Sequence, residues 1–119
     1  MHELSVCQAL IQEVSESARS HGAEKVLRIT VRIGPLSGVE PALLASAFLI
    51  GRAGTIARDA KLEIEPDPVR IKCLACDQES DATPNALLCL ACGGWHTRLI
   101  SGDALLLASV EMEINETVS

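Results

Sequence analysis

The chain has 119 residues, about one domain's length, with 48% apolar residues and a net charge of −6 with histidine neutral. With one Phe, one Trp and no Tyr, any core must be built from Leu, Val, Ile and Ala. The acidic balance argues against a nucleic-acid or anionic-membrane binder, which needs a basic footprint, and no apolar run reaches membrane-spanning length.

Met1-His2-Glu3 leads straight into a charged helical pattern. No basic stretch followed by an apolar run precedes it, so no secretory signal is expected and the protein is placed in the cytoplasm. Leu4, Cys7, Leu10, Ile11, Val14 and Ala18 recur at three-and-four spacing, which predicts an amphipathic helix from Leu4 to about Ser20, ending near Gly22. Leu27, Ile29, Val31 and Ile33 then alternate with Arg28, Thr30 and Arg32, a half-buried strand stopped by Gly34-Pro35. Pro41 opens a second helix carrying Leu44 and Phe48, ending around Gly51 to Gly54. Lys61 to Glu65 alternates again and is broken by Pro66 and Pro68. After a cysteine-bearing segment and the turn Ser101-Gly102-Asp103, Leu105 to Ile114 forms the last strand.

The strand charges predict an order. Arg28 and Arg32 mark the first strand, Glu63 and Glu65 the second, and Glu111 and Glu113 the last. Opposite charges on neighbouring strands are favourable by about 0.2–1 kcal/mol, and like charges are unfavourable. The basic strand therefore belongs between the two acidic ones, with the two helices over one face. The expected fold is α+β: a three-stranded sheet with two helices on one face, plus an inserted zinc-ribbon-like domain. The expected boundaries are 1–68 with 104–119 for the discontinuous α/β domain and 69–103 for the insertion.

Two identical tetrapeptides, Cys73-Leu74-Ala75-Cys76 and Cys89-Leu90-Ala91-Cys92, give the spacing C-x2-C-x12-C-x2-C. Each places two sulfurs on one turn, and two such turns close a four-thiolate zinc cage with Zn–S near 2.3 Å. Four protein ligands leave no open position, so the expected zinc is structural. A segment of about 30 residues cannot bury enough surface alone, so the metal supplies its folding free energy. A thioredoxin-like dithiol fits poorly, because no strand-CxxC-helix pattern flanks either pair.

The amino terminus offers a second constellation. The α-amine of Met1 and the His2 amide nitrogen close a five-membered chelate, and the same amide with the His2 imidazole closes a six-membered one. Three coplanar nitrogens suit nickel(II) or copper(II) better than zinc. Glu3 can add a donor through its amide or carboxylate. Position alone also fits a plain terminus where His2 is merely polar, and by itself favours that reading. Cys7, on the apolar stripe of the first helix, reads as a buried inert thiol. His96 reads as a surface residue near a filled cage, and Trp95 as a side chain beside the last knuckle. No nucleophile–base pair or phosphate-binding loop is visible, so no catalysis is expected.

Taken together, these residues resemble the HypA/HybF family of hydrogenase nickel-incorporation proteins. The likeness is carried by Met1-His2-Glu3-Leu4-Ser5, by Ile33-Gly34-Pro35-Leu36-Ser37-Gly38-Val39-Glu40-Pro41, by the two CxxC pairs and by Ile100-Ser101-Gly102-Asp103. It implies a nickel metallochaperone taking Ni(II) at Met1, His2 and Glu3, with structural zinc on Cys73, Cys76, Cys89 and Cys92. It also implies work with the maturation GTPase HypB on the [NiFe]-hydrogenase large-subunit precursor, and in some organisms on urease, as a monomer or weak homodimer. One departure stands out: Phe48 is followed by Leu49, where family members tend to carry an acidic residue. The departure bears on partner contacts, not on the metal motifs.

Overall fold

The computed structural model describes residues 2–114, with the side chain of His2 left aside. The chain divides into two compact units. The first comprises Met1–Val31, Glu40–Ile64 and Leu107–Ser119, and the second comprises Arg32–Val39 and Glu65–Leu106.

Helix α1 spans His2–Ser20. Cys7, Leu10, Ile11, Val14 and Ala18 are all buried on its inner face, as their spacing predicts. Leu4, expected among them, is exposed instead. The helix closes on Gly22, whose φ of +68° suits glycine. The His21 amide donates to Ser17 O and Ala18 O, and the Gly22 amide to Arg19 O.

Strand β1, Ala23–Ile33, begins four residues before the predicted start. Val26, Ile29, Val31 and Ile33 are buried, whereas Leu27 and Arg28 are both exposed. The alternation therefore changes phase between Val26 and Ile29, and Leu27 is lost from the inward row. Helix α2, Pro41–Gly51, has Glu40 as N-cap and Pro41 in its first turn. Leu44 and Phe48 point into the core. Strand β2 is Lys61–Pro66, and the last strand of the chain is Leu105–Ile114. The first sheet places β1 between these two. Two helices on one face of a three-stranded sheet is the predicted arrangement, and Arg28 shows the reason for the order. Its Nε lies 3.6 Å from Glu63 Oε1 and 3.7 Å from Glu111 Oε2.

The second unit carries its own sheet. Strands β3 (Arg70–Cys73), β4 (Glu79–Asp81) and β5 (Thr97–Ser101) are ordered β4-β3-β5, with β3 antiparallel to both neighbours. In chain order, Leu105–Ile114 is then β6. Ile71, fully buried, anchors the centre of the small sheet with Val69. Three chain segments meet at one point in this unit. Gly34 N donates to Ala104 O and Leu36 N to Gly102 O, while Asp67 N donates to Ile33 O. Asp67 is buried; its Oδ2 accepts the Gly102 amide, and its Oδ1 lies 3.5 Å from Arg32 Nη2.

Candidate metal centre

The two identical tetrapeptides form two turns of the same construction. In the first, Cys73 N donates to Gln78 O and Asp77 N to Cys73 O; in the second, Cys89 N donates to Gly94 O and Gly93 N to Cys89 O. Each turn needs a left-handed residue four positions after its first cysteine. Asp77 (φ +65°) supplies it in one and Gly93 (φ +73°) in the other. The identical turns thus follow from equivalent placement of a residue that tolerates positive φ, as well as from the repeated Cys-Leu-Ala-Cys.

The turns bring Cys73, Cys76, Cys89 and Cys92 together, with the four sulfurs within 4.8 Å of one another. Cys73 Sγ lies 3.6 Å from Cys92 Sγ, and Cys76 Sγ lies 3.6 Å from Cys89 Sγ. A tetrahedron with metal–sulfur bonds of about 2.3 Å has edges of roughly 3.8 Å. The four-thiolate donor set and its spacing therefore fit a tetrahedral zinc site. The four residues differ in setting: Cys73 and Cys89 are buried, Cys76 is intermediate and Cys92 is exposed.

The cage is electrostatically uneven. Amide hydrogen bonds from Cys76 and Ala75 hold the Cys73 thiol down to about 7. Amides of Cys92 and Ala91 likewise lower Cys89. At Cys76 a lowering hydrogen bond from the Gln78 amide is outweighed by Cys89, by burial and by the other two sulfurs, which push it up to about 12. At Cys92 the Gly94 amide lowers and Cys73 raises, with a net upward shift. Two sulfurs are thus biased towards the thiolate and two towards the thiol, and a bound dication would compensate the crowded negative charge.

The remaining candidates fall elsewhere. Cys7 is fully buried in the first unit, and burial raises its thiol pKa. Its Sγ would stand 3.4 Å from a Cβ added at Gly51, so it fills a close contact between α1 and α2. His96 is exposed, and its ring stacks on Trp95 with centroids 3.7 Å apart. Met1 and the side chain of His2 lie outside the described residues, so the amino-terminal chelate is not seen directly. Glu3 Oε2 accepts the Glu40 amide at 3.2 Å, which ties the first turn of α1 to the start of α2. That contact, and the Asp67–Gly102 bond, escape a reading of spacing. A lone carboxylate between Pro66 and Pro68 is the one local sign of the second.

Among the described residues no helix is long and apolar enough to cross a membrane. A family model described as "Hydrogenase/urease nickel incorporation, metallochaperone, hypA" matches residues 1–112. A hydrogenase maturation factor HypA of Nitrosospira multiformis is 48% identical over 112 residues, covering 94% of this chain and 97% of its own. One of Aquifex aeolicus is 41% identical over 115 residues, covering 97% and 100%. The solution structure of the Ni metallochaperone HypA from Helicobacter pylori aligns with a TM-score of 0.74 at 29% identity, over 95% of this chain and 98% of that one.

Proposed function

The chain belongs to the HypA family of hydrogenase/urease nickel-incorporation metallochaperones, and from that premise we propose that it takes Ni(II) as cargo at its amino terminus and hands it on during [NiFe]-hydrogenase maturation. A member of this family is a metallochaperone and not an enzyme. The observation that carries the proposal is the family match, which begins at residue 1 and so includes Met1-His2-Glu3.

The chelate consists of the Met1 α-amine, the His2 amide nitrogen and the His2 imidazole, with Glu3 completing the set. The Glu3 amide is the favoured route, because its carboxylate already accepts the Glu40 N–H. Planar nitrogen donors select for nickel or copper over zinc, so two metals are sorted by donor type at two places. The four thiolates of Cys73, Cys76, Cys89 and Cys92 hold zinc in a closed tetrahedron with no open position, a structural role. The nickel-binding domain is residues 1–68 with 104–119, and the zinc-binding domain is 69–103. The working partners are the GTPase HypB and the hydrogenase large-subunit precursor, in the cytoplasm, with urease as a further recipient.

Calorimetric titration of zinc-loaded protein with Ni(II) tests the reading. One extra residue before Met1, or His2→Ala, is expected to weaken nickel binding at least tenfold while zinc content stays the same. Equal affinity in the extended protein overturns the site.

A further inference from the structure

One edge of the sulfur cage is left uncovered by a glycine. Cys73 Sγ and Cys92 Sγ stand 3.6 Å apart. A Cβ added at Gly94 would lie 3.2 Å from Cys92 Sγ and 3.7 Å from Cys73 Sγ. Any other residue would therefore set its first side-chain carbon against this pair. The backbone does not demand glycine there, because the positive φ of the turn belongs to Gly93 and not to Gly94. Cys92 is itself exposed. The second short edge, between Cys76 and Cys89, is also 3.6 Å. Both short edges run from one turn to the other.

We propose that the cage is a peroxide-sensitive switch, which exchanges its zinc for two disulfides, Cys73–Cys92 and Cys76–Cys89, each joining the two turns. This exchange presupposes zinc on the four thiolates, as proposed above. The Cys92 thiolate attacks one oxygen of hydrogen peroxide. The O–O bond breaks, hydroxide leaves and Cys92 becomes a sulfenic acid. The Cys73 thiolate then attacks the Cys92 sulfur and expels a second hydroxide, closing the disulfide. Two thiolates have lost two electrons, and peroxide has gained them. The metal has lost two of its four ligands. A second peroxide joins Cys76 to Cys89 in the same way, and zinc departs.

The pairing decides what oxidation does to the fold. A disulfide within one Cys-Leu-Ala-Cys would tie a turn to itself and leave the two turns unconnected. The cross-turn bonds span 19 and 13 positions and join the same points that the metal joins. Closing such loops restricts the unfolded chain. The oxidised unit therefore keeps its sheet while giving up its zinc, and a dithiol reductant reverses the exchange.

Peroxide treatment of the zinc-loaded full chain at about 1 mM tests this, with a chromogenic chelator reading free zinc. Zinc content measured beforehand judges the cage, and the disulfide pattern judges the switch. Non-reducing peptide mapping is expected to find Cys73 joined to Cys92 and Cys76 to Cys89, with two peroxides consumed per zinc released. Hydrogen exchange over residues 69–103 should stay slow after oxidation, whereas chelation of the metal without oxidant should make it fast. Dithiothreitol with added zinc should restore the starting state. Gly94→Ala, which covers the open edge, should release zinc roughly threefold more slowly, because thiol reactivity follows access. Disulfides within each turn, oxidation to sulfinic or sulfonic acid without disulfides, zinc retained under peroxide, or protection lost on oxidation would each overturn the inference.

Discussion

The sulfur of Cys73 stands 3.6 Å from that of Cys92, so the first cysteine of one turn faces the last cysteine of the other. Cys76 and Cys89 close the cage by the same cross-pairing. Neither turn therefore holds the metal by itself. Cys73→Ser and Cys92→Ser are each expected to lower zinc from about one per chain towards none, since a structural site needs all four ligands. Elemental analysis, with hydrogen exchange over residues 69–103, checks it: protection there should be lost while α1 keeps its own.

Zinc uptake should release protons in a defined number. In the metal-free cage Cys76 is pushed up to about 12 and Cys92 is raised, while Cys73 and Cys89 are lowered. At pH 7.5 zinc uptake is therefore expected to displace protons, those of Cys76 and Cys92 among them. As pH falls through 7, Cys73 also takes up a proton, so the number displaced rises and zinc affinity drops more steeply. Calorimetry in buffers of different ionisation enthalpy reads the count. No proton release at pH 7.5 would contradict the raised Cys76 and Cys92.

The five thiols should react in two classes. Cys7 is fully buried with its pKa raised by burial, and reactivity follows thiolate fraction and access. After chelation of zinc under native conditions, four thiols are expected to react with a disulfide reagent in the fast phase. The fifth should wait for unfolding of the first unit, and Cys7→Ala should abolish that slow phase alone.

Gly34→Ala and Gly102→Ala should both destabilise the second unit. A Cβ at Gly34 would overlap the Gly102 carbonyl, and a Cβ at Gly102 would sit 2.8 Å from Val69 Cα, at a φ of +101°. Strain of this kind costs about 1–3 kcal/mol or more. Thermal melting should fall for both, whereas Gly54→Ala, with open space around its Cβ, should show only the smaller cost of its left-handed φ.

Much of this architecture is readable from residue order because local rules and global packing agree. The placement of β1 between β2 and β6 follows from charge alternation, and Arg28 satisfies it by reaching both Glu63 and Glu111. Arg32 does not follow the same rule. It turns to Asp67, a residue outside the strand pattern, because a buried carboxylate demands a partner more strongly than an exposed one. The exposed Leu27 marks where period-two reading fails: a phase change in β1 leaves local hydrophobicity unaltered. Strand β4, three residues long, is too short for any alternation to register. The contact of Gly34 with Gly102 joins positions far apart in the chain, where periodicity carries no information. The sulfur cage was legible because two repeated spacings demand one another, whereas the uneven acidity of its members arises from amide directions that only the folded turns define.

The graded exposure of the four cysteines also sets an expected order of metal loss. Cys92 is exposed, Cys76 partly so, and Cys73 and Cys89 are covered. A chelator, a competing thiol or an oxidant therefore meets Cys92 first, and ligand exchange proceeds from that corner inward. Loss of a bound metal is therefore expected to begin at Cys92, with opening of the turn from Cys89 to Cys92 as its first step.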